Sequence, residues 1–174
     1  SDTEGSIVSH WSHVNNTFVT IGEEGAATGP RLYGSVFGGG QDGLVRWNTE
    51  VTVNNGEIGV AYVDSITAME VMGNANLDTV YWTERGNVLG GGSGISTWKD
   101  TDNKEHFSVN AGVVRGTTRV EIKGGTVHRN VYGGGSLASV DGDPTVIISD
   151  NGTVGVETDV KGVYITATDT IEWV

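Results

Sequence analysis

The residues best supplied to bind an ion are two acidic clusters, Asp100-Thr-Asp102-Asn103-Lys-Glu105 and Asp141-Gly142-Asp143. Calcium takes six to eight oxygen ligands, most of them from carboxylates or carbonyls. Neither cluster continues as Asp-x-Asp-x-Asp-Gly with a distal glutamate. Asp100, Asp102, Asp141 and Asp143 therefore stand as calcium candidates beside the plainer reading of solvated acidic loops, and no other cofactor is expected. Gly91-Gly92-Ser93-Gly94-Ile95-Ser96 follows the calcium-binding Gly-Gly-x-Gly-x-Asp phrase, but Ser96 stands where the liganding aspartate belongs. His10-Trp-Ser-His13 sets two imidazoles three residues apart, which on a strand point to opposite faces and suit no single zinc ion. His106 and His128 have no evident partner in the sequence.

Covalent chemistry is less well supplied still. Lyase action on acidic sugars needs a basic cluster and a base for the α-proton. Arg115, Arg119, Lys123 and Arg129 are the only concentration of positive charge, and strand alternation puts Arg119 and Lys123 on an outward face with Glu121 between them. A hydrolase needs two carboxylates across a groove; Asp141 and Asp143 are the close pair, in a Gly-Asp-Pro turn. The triplets Gly38-Gly39-Gly40, Gly90-Gly91-Gly92 and Gly133-Gly134-Gly135 are followed by neither Lys-Ser nor Lys-Thr, so they form no phosphate loop. No catalytic residue is expected. Aromatic side chains offer binding instead, since Trp and Tyr rings stack on sugars and anchor interfaces. Trp47 and Trp98, flanked by polar residues, are the candidate exposed contacts.

Those residues must be held by a repeat. Each glycine triplet follows Val and a bulky apolar residue: Val36-Phe37, Val88-Leu89 and Val131-Tyr132. A second phrase travels with it, an alternating run ending in a turn: Thr49 to Val53 before Asn55-Gly56, Thr118 to Ile122 before Gly124-Gly125, and Thr145 to Ser149 before Asn151-Gly152. A more degenerate copy opens at Thr17-Phe-Val19-Thr-Ile21. Alternation buries one face and wets the other, and the turn dipeptides accept positive φ. Phe37, Leu89 and Tyr132 share a repeat position and are expected to stack. Repeat phrases near 17–40, 49–92, 118–135 and 145–164, with insertions between them, predict a parallel right-handed β-helix or solenoid of roughly 20 to 30 residues per coil. The alternative is an antiparallel β-sandwich or roll, because alternating runs around Asn-Gly also write a hairpin. The run at 60–63, Thr79 to Trp82 and the polar stretch Thr97 to His106 are expected as two strand-like segments and a protruding loop.

Composition agrees with an all-β chain. Glycine supplies 28 of 174 residues and proline two, with no collagen period. The net charge of −12 disfavours nucleic acid and anionic membranes. There is no cysteine for disulfides or thiolate sites, and no apolar stretch long enough to span a bilayer. The opening Ser1-Asp-Thr-Glu-Gly lacks signal-peptide character, and the chain is expected to be one segment, 1–174, of a longer repeat protein.

Gly124-Gly125-Thr126-Val127-His-Arg-Asn130-Val131-Tyr132-Gly133-Gly134-Gly135 resembles the Gly-rich repeats of large secreted, adhesin-like surface proteins of Bacteroidetes-type bacteria. The resemblance covers most of the chain through three or four copies. It implies secretion or a cell-surface location, a β-helical architecture and no catalytic residues. The expected function is a non-catalytic structural or adhesive element of an extracellular assembly. Its expected partners are neighbouring repeats, further copies stacked end to end into filaments, or a glycan or other ligand on a host or bacterial surface. A carbohydrate-binding module and a polysaccharide lyase or hydrolase are the alternatives.

Overall fold

Short β-branched runs separated by glycine favour strands that end quickly and turn sharply, and the computed structural model contains such strands and no helix among the described residues. It describes residues 12–59, 85–149 and 151–155, with the backbone of two further strands at 162–165 and 170–173. The strand-like runs at 60–63 and 79–82, and with them His10, Trp11, Tyr62 and Tyr81, lie outside the described residues, as does much of the expected 49–92 phrase.

The chain visits the same sheets repeatedly and in the same order. The first pass is β1 (His13–Val14), β2 (Thr17–Ile21), β3 (Arg31–Leu32) and β4 (Val36–Phe37). The second is β5 (Leu44–Val45), β6 (Thr49–Val53), β7 (Glu57–Ile58) and β8 (Val88–Leu89). A hairpin, β9 (Trp98–Lys99) and β10 (Glu105–His106), interrupts before β11 (Thr118–Ile122), β12 (Gly125–Val127) and β13 (Val131–Tyr132). Then come β14 (Pro144–Ile148), β15 (Gly152–Val154), β16 (Gly162–Ile165) and β17 (Thr170–Trp173).

Equivalent phrases lie side by side and parallel, in register except that the fourth copy aligns from Pro144 and not from the expected Thr145, a slip of one residue. One sheet orders β14-β11-β6-β2, a second β15-β12-β7-β3, and a third β13-β8-β4. Thr17, Thr49, Thr118 and Pro144 align, as do Ile21, Val53, Ile122 and Ile148. β1 pairs with β5, and single bridges carry that line on from Val45 to Val114 and Val140. Antiparallel pairing occurs among the described residues only at β9–β10 and β16–β17. The hairpin alternative fails at Asn55-Gly56: β6 and β7, on either side of it, pair with strands of other passes and not with each other. Gly56 at φ 103° and Gly125 at φ 80° swing the chain from the first sheet into the second. The third dipeptide differs from the first two, since its glycine, Gly152, does not adopt positive φ.

Alternation fixes the interior. In β6 and β11 every second side chain is buried, and Val51, Val53, Val120 and Ile122 meet Ile58, Val88 and Val127 from the other sheets. Thr49 and Thr118 are buried too, and with Thr17 they donate Oγ1–H to the carbonyls of Gly90, Gly133 and Gly38 respectively, tying the first sheet to the third. At the fourth position of that ladder stands Pro144. Its place suits an outer strand, because proline has no N–H to give a further neighbour.

The glycine triplets bend without left-handed backbone, for none of their residues has positive φ. What excludes a side chain is crowding between successive passes. A Cβ on Gly38 would lie 2.2 Å from the Gly90 carbonyl oxygen, and one on Gly90 would lie 2.6 Å from that of Gly133. Gly39 and Gly91 are equally confined, each by backbone of the following triplet. Gly134, with nothing within 4 Å, and Gly40, which would touch only nearby Gly43 at 3.4 Å and beyond, are the exceptions.

Candidate functional site

Pleating sends alternate residues of the third sheet inward and outward. Val36 and Val88 point into the core, so Phe37, Leu89 and Tyr132, paired across β4, β8 and β13, form the expected stack on the outer face. Leu89 is covered while Tyr132 is 47% exposed. Leu137, also exposed, follows the third triplet and forms a wall with Ser136. Together with Asn87 these residues line a groove of about 610 Å³.

Asn87 is held by a polar ladder that precedes each Val-x-Gly-Gly-Gly phrase. Its backbone N–H donates to Ser35 Oγ at 3.1 Å, and its Oδ1 accepts from Asn130 N at 3.1 Å and Asn130 Nδ2 at 3.2 Å. A similar ladder runs through Asn16, Asn48 and Thr117 beside the first sheet. The sequence reading passed over Asn87 and the outward direction of Phe37 and Tyr132. The available signal was the polar residue, Ser35, Asn87 or Asn130, before each repeated valine.

The two candidate tryptophans lie apart from this groove. Trp47 is 56% exposed, between β5 and β6. Trp98 is 46% exposed on β9, and its ring stacks on that of His106, with centroids 5.8 Å apart and planes 20° from parallel. The loop expected at 97–106 is thus a built hairpin, and His106 does have partners. Its Nε2 lies 2.7 Å from Asp100 Oδ2, while Asp100 Oδ1 accepts from the backbone N–H groups of Asp102 and Lys104, both at 2.9 Å. Asn103 sits in the left-handed region at φ 61° to close the turn. His128, expected without a partner, is buried beside Gly59.

The hydrogen bond to His106, then the amide of Lys104, holds the Asp100 carboxyl below its ordinary pKa. A depressed pKa in the folded state means the carboxylate stabilises the hairpin above the usual carboxylate range, and that this is lost as pH falls through the lowered value. The Trp98–His106 stack is therefore expected to persist through mild acid and to open only below the ordinary aspartate range, read by the Trp98 indole NMR shift. In Asp100→Asn the acid transition should disappear from that signal. An unaltered transition in the variant would assign it elsewhere.

The remaining acidic candidates are not gathered. Asp141 binds Arg115 Nη1 at 2.8 Å, and both Asp141 and Asp143 are exposed. Asp102 is exposed, with no side-chain hydrogen bond. Among the described residues no three His, Asp or Glu side chains are placed to hold one metal ion. The basic residues are likewise distributed: Arg119 pairs with Glu121 at 3.0 Å, Lys123 with Glu24 at 3.3 Å, and Arg129 donates to the His128 carbonyl at 2.9 Å. Burial lowers the pKa of Arg129 from the usual guanidinium value.

No protein-family model, no curated protein and no solved structure matches this chain.

Proposed function

We propose that the chain is a segment of a right-handed parallel β-solenoid, a non-catalytic structural and adhesive element exported to a bacterial surface or extracellular assembly. The observation that carries this reading is the parallel stacking of whole repeat phrases, β2 on β6 on β11 on β14, with a threonine-to-glycine ladder across the interior. Such stacking builds stiffness along one axis, and the hairpin at 98–106 reaches out from it. The outer strands β2 and β14 also present strand edges on which further repeats or another copy can continue the same register.

The test has two arms. Intact cells making the whole protein are treated with an external protease, and the chain is displayed on a non-adherent bacterium whose retention on glycan- or matrix-coated surfaces is counted. Cleavage on intact cells and increased retention are expected. An intracellular location, or unchanged retention with release of reducing or unsaturated sugar ends by the purified chain, would overturn the reading.

A further inference from the structure

We propose that the groove over β4, β8 and β13 binds a neutral carbohydrate, with the Tyr132 ring against the apolar face of one pyranose and the Asn87 amide donating to a sugar oxygen. The inference stands on the groove alone and not on the adhesive reading above.

Asn87 is the first reason. The Asn130 N–H can only donate, so the Asn87 oxygen must face it, and the second bond from Asn130 Nδ2 converges on that same oxygen. The NH2 end is thereby turned elsewhere, has no protein partner among the described residues and meets solvent where Asn87 lines the groove. A donor that meets water there can exchange that water for an oxygen of a bound ligand. This amide cannot rotate to find another partner without breaking the ladder.

The second reason is the surface beside it. Phe37, Leu89 and Tyr132 form a continuous apolar strip in register, and Leu137 borders it. An apolar strip bordered by a few polar side chains, here Asn87, Ser93 and Ser136, is the composition of small-ligand sites, and the volume of about 610 Å³ falls within their range. A pyranose matches it, having one C–H face for an aromatic ring and hydroxyls at its rim. Charge narrows the class. No lining side chain is ionic, while the chain carries −12 overall. Carboxylated and sulfated glycans would be repelled and find no counter-ion in the groove.

The intact chain is titrated calorimetrically with neutral oligosaccharides of glucose, mannose, galactose and xylose, and with hyaluronan and polygalacturonate, at low and physiological salt. Saturable binding of at least one neutral oligosaccharide, insensitive to salt, is expected. Tyr132→Ala should weaken it about tenfold or more, whereas Trp98→Ala should leave it unchanged. Asn87→Asp keeps an oxygen toward Asn130 and removes the donor, and should also weaken binding. Since either groove variant could disturb folding, the unaltered chain gives a second readout: saturating sugar should shield Tyr132 from nitration, as located by mass spectrometry. The proposal is overturned by absence of neutral-sugar binding at millimolar concentration, by preference for the acidic polymers, by full affinity in a folded Tyr132→Ala variant, or by nitration of Tyr132 unaffected by bound sugar.

Discussion

Gly92→Ala is expected to destabilise the fold by about 3 kcal/mol, the upper part of the usual overpacking cost, lowering Tm by roughly 10 °C for a chain of this length. A Cβ at Gly92 would stand 2.3 Å from the Gly112 carbonyl oxygen and 2.5 Å from that of Gly40. Both obstacles are backbone, from two different passes, so neither can move aside as a flexible side chain would. Gly134→Ala belongs to the same repeated phrase and has open space around it. Without positive φ at that position, alanine should be neutral or stabilise by up to about 1 kcal/mol through the unfolded chain. Thermal melts of the two variants make the comparison, and equal Tm values would mean that the passes do not pack as closely as described.

The second large effect comes from the interior. Ile122 and Ile148 occupy the same register position on adjacent strands. Ile122 is fully buried between β6 and β14, whereas Ile148 on the outer strand is 51% exposed. Ile122→Ala should cost about 3–4 kcal/mol, from lost transfer energy and the cavity left behind. The same change at Ile148 should cost under about 1.5 kcal/mol, because half of that side chain already meets water. Chemical denaturation with unchanged m-values is the measurement. Comparable losses at both sites would show that Ile148 is as enclosed as Ile122, and hence that β14 is covered.

Much of this arrangement was legible beforehand, and the reason is local. Thr118 to Ile122 states its buried face by alternation, and burial in β11 follows it residue by residue. The copies at Thr49 and Thr17 repeat the statement, so their stacking needed only the assumption that like phrases pack on like. Pairing direction was harder. Asn55-Gly56 supplies left-handed backbone equally well to a hairpin and to a swing between sheets, and only the partners of β6 and β7 distinguish the two. The glycine triplets were recognised as bends, but their cause lies between passes, in contacts such as Gly38 with Gly90 that no short window contains.

The groove was the least legible part. Asn87 and Tyr132 belong to different passes and meet only through strand pairing, and the outward turn of Tyr132 depends on Val131 facing the core. Exposure of Trp47 and Trp98 followed from their polar neighbours. The acidic run at Asp100 looked like a supply of ligands, yet the oxygens of Asp100 itself are occupied within the hairpin by two amides and an imidazole. A carboxylate count cannot distinguish a ligand from a turn former.

The close approach of Gly92 and Gly112 makes the stack indifferent to what lies between them. The chain departs just after Gly92 and rejoins at Val113 and Val114, whose backbone bonds to Val45 and Ser139 hold the next pass in place. Because both ends of the excursion meet at one point, its length is nearly decoupled from the register of everything that follows. Doubling such a loop adds only about 0.6 kcal/mol of closure entropy. The span from Ser96 to Val109 is in effect a socket, where a foreign peptide or a small domain with neighbouring termini could be spliced in and carried on a scaffold that need not change to receive it.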